Sequence, residues 1–149
     1  MIKCLKHLFI VGFVFTFVSC SDDFCVDNTT PQIIFRLYDN TDNTLTKELS
    51  LSVSANDLDT FTEITTDSIA IPLDTNATSV IYKFTNEGNE ETITVNYSVE
   101  DVFVSRACGY KSVFNNISIT PTTSSWLQST ELVSTSITNE NQAHVKIFH

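Results

Sequence analysis

Residue types that commonly carry catalysis or bind metals are few in this sequence and widely spaced. The chain has three histidines and three glycines among 149 residues. His144 and His149 flank a short alternating run, outside any His-Glu-x-x-His pattern, and we predict a surface strand residue and a frayed terminus, respectively. Neither a phosphate-binding glycine loop nor a Gly-x-Ser-x-Gly motif occurs in the sequence. We therefore predict no enzyme activity, no cofactor and no metal.

Carboxylates are plentiful, with 18 acidic residues in the chain. Residues 39–43 place several oxygen ligands in one loop, but the alternating ligands and central glycine of an EF-hand loop are missing, which favours a plain turn. Glu87, Glu90 and Glu91 are predicted to form the solvated tip of a hairpin. A carboxylate pair for glycoside hydrolysis stays open, because with so many acids some pair will lie close by chance.

The first residues have the pattern of an export signal. Lys3 and Lys6 precede an apolar run at residues 8–18, about half the ~20 residues that a membrane-spanning helix needs, so a signal peptide is predicted over residues 1–19. The junction Phe17-Val18-Ser19-Cys20 resembles the lipobox of bacterial lipoproteins, which implies that Cys20 becomes an acylated N-terminus. Several acyl chains would give stable membrane attachment. Plain secretion is the alternative.

Acidic residues after the junction bear on the location of the protein. Asp22 and Asp23 resemble the surface-export signal of Bacteroidota lipoproteins, so we expect an outer-membrane protein that is surface-exposed rather than facing the periplasm. Without Lys3 and Lys6, the eight basic residues become six against 18 acidic ones, a net charge of −12. This charge argues against a nucleic-acid partner and leaves the lipid as the membrane attachment.

Two of the four cysteines are candidates for a disulfide. Cys4 would leave with the signal peptide and Cys20 would carry lipid, so Cys25 and Cys108 remain. In an exported chain, two remaining cysteines are more often bridged than free. We predict a structural Cys25–Cys108 disulfide that ties the entrance of the domain to a late segment.

Short alternating apolar runs, separated by Asn, Asp, Thr and Gly, indicate an all-β chain. The runs lie at residues 32–38, 48–55, 61–65, 68–73, 79–85, 91–99, 102–104, 113–119, 126–137 and 142–148. We predict an antiparallel, immunoglobulin-like β-sandwich of about seven to nine strands, with a barrel as the alternative. Runs 79–85 and 91–99 should pair as a hairpin, because Gly88 and Asn89 between them tolerate positive φ.

Aromatic residues supply the one binding signal. Trp126 follows a polar Thr-Ser stretch, and Tyr110 follows the second candidate disulfide cysteine. Exposed aromatic rings can stack on a sugar or anchor a protein. A buried Trp126 that fills the core is the alternative, and it is the commoner role of a lone tryptophan in a small sandwich.

The chain also resembles an uncharacterised family of Bacteroidota outer-membrane lipoproteins. The shared pieces are Cys25, Thr30-Pro31 before residues 33–39, the Pro-Leu strand end in residues 67–73, the Cys-Gly turn in residues 104–109, and residues 144–147. The resemblance implies the location and the fold, and it supplies no catalytic residue.

These observations predict three parts: a signal peptide at residues 1–19, a lipidated cysteine and tether at residues 20–30, and a β-sandwich at residues 31–149. We expect a non-enzymatic module that binds or scaffolds another outer-membrane component, such as a barrel protein. The alternative is a surface carbohydrate-binding or glycan-handling protein. A Trp126 exposed together with a tyrosine beside a groove would favour the alternative.

Overall fold

The computed structural model describes Cys25 and residues 30–122 and 125–149. The predicted signal peptide, Cys20 and most of the predicted tether therefore lie outside the described residues. The described part of the chain is all-β, as the sequence predicts, and contains nine strands. Among these residues no helix has the length and hydropathy of a membrane span.

Nine strands form two sheets. They are β1 (Ile33–Tyr38), β2 (Leu49–Ala55), β3 (Leu58–Thr66), β4 (Ser68–Ile71), β5 (Ser79–Asn86), β6 (Asn89–Ser105), β7 (Gly109–Thr122), β8 (Ser129–Leu132) and β9 (Val145–Phe148). One sheet has the order β4-β1-β9-β8 and the other has the order β3-β2-β5-β6-β7. All neighbours are antiparallel except β1 and β9, which pair in parallel with Phe35 opposite Val145.

Aromatic residues on facing strands join the two sheets into the predicted sandwich. Phe35 of β1 makes edge-on contacts with Tyr82 and Phe84 of β5, at centroid distances of 5.3 and 5.2 Å. All three side chains are fully buried. Because alternate residues of a strand face opposite sides, every second residue of β1, of β5 and of the first half of β6 points into this core.

The predicted hairpin is confirmed as β5 and β6. Val80 pairs with Val95 and Tyr82 pairs with Ile93, so the inward-facing residues of the two strands lie opposite each other. The turn is shorter than residues 86–90, the segment between the two predicted runs, because Asn86 still pairs with Asn89. Only Glu87 and Gly88 connect the strands, with φ values of 47° and 80°. Two consecutive positive φ angles match the twist of a tight hairpin.

Runs 102–104 and 113–119 belong to long strands and not to separate short ones. β6 has 17 residues and β7 has 14, and they pair as far as Ser105 and Gly109. Glu100 and Asp101 interrupt the apolar alternation, which suggests that a strand ends there. Backbone pairing with β7 nevertheless continues through both residues. The ladder can continue because backbone hydrogen bonds do not depend on side-chain polarity.

Candidate functional site

The disulfide between Cys25 and Cys108 is present, as predicted, with Cα atoms 5.0 Å apart. Cys108 lies in the turn between β6 and β7, and its N–H donates to the hydroxyl of Ser105, 3.0 Å away. The next residue, Gly109, has a φ of 73°, which favours glycine. The bridge therefore fastens the segment before β1 to the turn at the end of a hairpin.

This hairpin end extends beyond the sandwich. The strand β5 pairs with β6 only up to Asn96, so from Ser98 onward β6 pairs with β7 alone. No residue between 100 and 112 is fully buried. We call residues 100–112 the hairpin arm. A two-stranded ribbon without a buried face is marginally stable in water, and the disulfide constrains its turn.

The hairpin arm carries an exposed aromatic pair. Phe103 and Tyr110 lie opposite each other in the ladder, and their rings meet edge-on at 5.5 Å. They are 59% and 67% exposed, respectively. The sequence predicts a binding role for Tyr110 but not for Phe103. The sequence feature that indicates an exposed residue here is the apolar run 102–104. Its residues do not alternate with polar ones and so cannot all face one core.

The end of the hairpin arm differs in charge from the rest of the chain. Residues 102–111 contain Arg106 and Lys111 and no acidic residue, whereas the whole chain has a net charge of −10. The nearest acids in the arm, Glu100 and Asp101, accept hydrogen bonds from Asn115 Nδ2 and Ser112 Oγ across the ribbon. The free end of the arm is therefore basic and aromatic.

Trp126, the other predicted binding residue, lies elsewhere. Its ring is half-buried against the core, and its Nε1 donates to the carbonyl of Asn89, at 3.3 Å. Asn89 begins β6 and Phe103 lies 14 residues further along the strand, about 45 Å at ~3.3 Å per residue. Trp126 and Tyr110 therefore do not share a surface.

The prediction that Glu91 belongs to the solvated tip of a hairpin is wrong. Its side chain is 1% exposed and not solvated, because it occupies an inward position of β6 opposite Phe84. The carboxylate accepts hydrogen bonds from the backbone N–H and the hydroxyl of Ser125. A buried carboxylate needs such donors, and these join β6 to the segment that begins at Ser125.

The prediction that His144 is a surface residue is also wrong, because its side chain is 2% exposed. Its Nδ1 accepts from the N–H of Ile34 at 3.0 Å, and its Nε2 lies 3.1 Å from the carbonyl of Asn139. Burial lowers the pKa of this imidazole below its ordinary value of 6.5. The neutral ring thus serves as a structural link.

The C-terminal residue His149 is also held and not frayed. Its carbonyl accepts from Asn40 N–H at 3.2 Å, and its N–H donates to Tyr38 at 3.1 Å. Its Nε2 lies 3.2 Å from the Lys47 carbonyl. The end of the chain is therefore part of the packed domain.

The acidic loop at residues 39–43 forms turns, as the sequence analysis favours. Asp39 accepts from the hydroxyl and N–H of Thr41, and Asp42 accepts from the same groups of Thr44. These hydrogen bonds lower the pKa of both carboxyls. Among the described residues, no three His, Cys, Asp or Glu side chains are grouped to hold a metal ion.

A polar groove lies beside the turn between β5 and β6, with a volume of about 570 Å³. Its lining includes Ser50, Ser52, Glu63, Thr85 and Asn86. Glu63 has a φ of 49°, and its N–H donates to Ser52 Oγ at 3.0 Å, where the pairing of β2 with β3 shifts register. Among the described residues, no aromatic ring lines this groove, which makes it unlike a sugar-stacking platform.

Comparison with known proteins places the chain in a family. No curated protein and no solved structure matches it. One family model, described as a family of unknown function (DUF6452), matches residues 50–149. The match covers β3 to β9, including Cys108 and the hairpin arm. The chain therefore belongs to the DUF6452 family, a family of unknown function.

Proposed function

We propose that the protein is a bacterial outer-membrane lipoprotein of the Bacteroidota type, anchored through Cys20, whose β-sandwich binds or scaffolds another envelope component. The signal-like residues 1–19 and the lipobox-like junction support the anchor. The disulfide is the observation that carries the proposal. It attaches Cys25, five residues after Cys20, to one end of the folded domain, so an anchored domain would be held in a restricted orientation.

A binding role is supported by the hydrogen bonds that Glu91 and His144 make inside the sandwich. The buried carboxylate of Glu91 and the buried imidazole of His144 make hydrogen bonds that join separate segments of the sandwich. Neither residue lines the groove beside the β5–β6 turn. Their geometry suits stabilisation of a scaffold more than proton transfer to a substrate.

The glycan-handling alternative has less support. It required Trp126 and a tyrosine on one exposed face, and Trp126 lies at the opposite end of β6 from Tyr110. Tyr82 and Tyr97 are buried, and their hydroxyls donate to the carbonyls of Pro72 and Asp74. An outer-membrane protein partner is therefore our first choice.

The anchor is tested by mass spectrometry of membrane fractions. We expect a mature chain that begins at an acylated Cys20, and we expect Cys20→Ala to prevent lipid-dependent processing and release the protein from membranes. Cys4→Ala is the matched control, because that residue would leave with the signal peptide. Unchanged processing and membrane association of Cys20→Ala would contradict the lipoprotein assignment.

The partner is tested by capture of the wild-type protein from detergent-solubilised outer membranes after reversible crosslinking. We expect one membrane protein in a fixed stoichiometry, absent when the Cys20→Ala variant is captured. Recovery of glycan and no protein, with binding on a glycan array, would favour the alternative function.

A further inference from the structure

We propose that the free end of the hairpin arm lies on the membrane surface, with Phe103 and Tyr110 in the interfacial layer of the bilayer. This inference rests on the proposed lipid anchor at Cys20 and specifies how the anchored domain is oriented. The occupant of the exposed aromatic pair is thus the phospholipid bilayer that holds the acyl chains.

The length of chain between the lipid and the disulfide limits where the arm can be. Four residues lie between Cys20 and Cys25, and a fully extended chain covers at most ~3.6 Å per residue step, or about 18 Å over the five steps. Cys25 is bonded to Cys108, and Tyr110 follows Cys108 by two residues. A lipid-anchored chain would therefore keep the arm within reach of the headgroups.

The chemistry of the arm end suits this position. Phe103 and Tyr110 are exposed by more than half and contact each other, so apolar area faces solvent in the isolated domain. Aromatic rings are enriched at the membrane interface, where one end of the ring is apolar and the other is hydrated. The Tyr110 hydroxyl suits the hydrated side of this layer.

The distribution of charge favours the same orientation of the domain. The anchored chain, without Lys3 and Lys6, has a net charge of −12 and is repelled by anionic headgroups. The acid-free end of the arm, with Arg106 exposed and Lys111 half-buried, is the local exception. Orientation with this end towards the bilayer brings positive charge to the headgroups and keeps the acidic body of the sandwich away.

Fluorescence quenching by lipid tests the contact in the lipidated protein. The wild-type protein and the variant Phe103→Trp are reconstituted in vesicles of phosphatidylcholine and phosphatidylglycerol, with and without bromine atoms on the upper acyl chains. The wild-type emission comes from Trp126, which lies at the far end of β6. We expect the added emission of Phe103→Trp to be blue-shifted on vesicles and quenched several-fold by brominated lipid.

Matched variants make the result specific. Tyr110→Trp should behave like Phe103→Trp and replaces it if the first variant does not fold. Leu58→Trp, at the first residue of β3, which is 75% exposed, should stay unquenched. Joint replacement of Cys25 and Cys108 by Ser in the Phe103→Trp background should reduce quenching, because the arm is then no longer tied to the tether.

Flotation of the vesicles separates the two proposals. Protein that does not float has no anchor, and that result overturns both the proposed function and this inference. Protein that floats while both tryptophan variants at the arm remain unquenched and solvent-like overturns only the membrane contact. The same result with crosslinking of the arm to a membrane protein would assign the aromatic pair to a protein partner instead.

Discussion

His144 and the backbone of Ile34 form two reciprocal hydrogen bonds across 110 residues of sequence, one through the imidazole and one through the backbone of His144. Ile34 N–H donates to Nδ1 at 3.0 Å, and His144 N–H donates to the Ile34 carbonyl at 2.9 Å. Because Nδ1 accepts, the neutral ring carries its proton on Nε2, which donates to the Asn139 carbonyl. The start of β9 is thereby fixed against β1.

Replacement of this ring should destabilise the domain. His144→Phe keeps an aromatic ring but leaves the Ile34 N–H and the Asn139 carbonyl without their side-chain partner. We expect a loss of about 1–3 kcal/mol in the free energy of unfolding, measured by urea denaturation. Gln142→Ala, at an exposed position, is the control and should change stability by less than about 0.5 kcal/mol. Equal stability of both variants would contradict the structural role of His144.

The stability of the protein should fall as the pH falls below about 6.5. Burial lowers the pKa of His144, and of His149, below the ordinary 6.5. The unfolded chain then binds more protons than the folded chain, so the stabilisation is complete above pH 6.5 and is lost as pH falls through the lowered pKa. Below about 3.8, protonation of Asp39 and Asp42 adds a second decline, since their pKa values are also lowered.

The variant His144→Gln isolates the contribution of this ring to the pH dependence. Melting temperatures between pH 7.5 and 5 should decline less steeply than in the wild-type protein, because one group with a lowered pKa is removed. His149→Gln provides the corresponding measurement for the second ring. A His144→Gln profile parallel to that of the wild-type protein would show that His144 is not responsible.

Glu91 should be the acidic residue of the β5–β6 turn region on which stability depends most. Glu91→Ala removes a buried carboxylate and leaves the N–H of Ser125 without its acceptor, at an expected cost of about 1–3 kcal/mol. Glu90→Ala is the control, because Glu90 is exposed and lies 3.7 Å from Lys83 Nζ in a surface ion pair, which contributes little to stability. Chemical denaturation compares the two, and a larger effect of Glu90→Ala would refute the assignment.

Loss of the disulfide should destabilise the domain and loosen the hairpin arm. The bridge closes a separation of 83 residues, for which chain entropy gives an upper limit of about 4.5 kcal/mol. Replacing Cys25 and Cys108 by Ser should lower the melting temperature and speed amide exchange in residues 100–112 more than in β5. Reduction of the wild-type protein should have the same effect, and alkylation of two free thiols in native protein would disprove the bridge.

Surface display is a separate prediction about the tether. Replacing Asp22 and Asp23 by Ala should lower the accessibility of the protein to protease added to intact cells, if these residues direct export. Replacing Glu87 and Glu90 by Ala removes two charges from the far end of the domain and is the control. Equal accessibility of both variants would show that Asp22 and Asp23 only keep the tether hydrated.

Local patterns in the sequence were sufficient for the strands and for one hairpin. Alternation in β1, β2, β5 and β6 reflects the period of two that a half-buried strand imposes, and Gly88 marks a turn that needs positive φ. The disulfide followed from cysteine count and compartment, without knowledge of distance. Each of these features depends on neighbours in sequence or on simple counting, so the chain alone determines it.

Contacts between distant segments needed the tertiary structure. His144 and Glu91 are polar residues, and average tendencies place such residues at the surface, but each is buried where a backbone N–H from a remote segment supplies a hydrogen bond. Phe103 shows the reverse, since an apolar residue in a predicted strand is expected inside. It is exposed because β5 pairs with β6 only up to Asn96, and no other strand of the described residues covers the hairpin arm. Burial is a property of strand order and strand length, and these are decided only when the two sheets pack together.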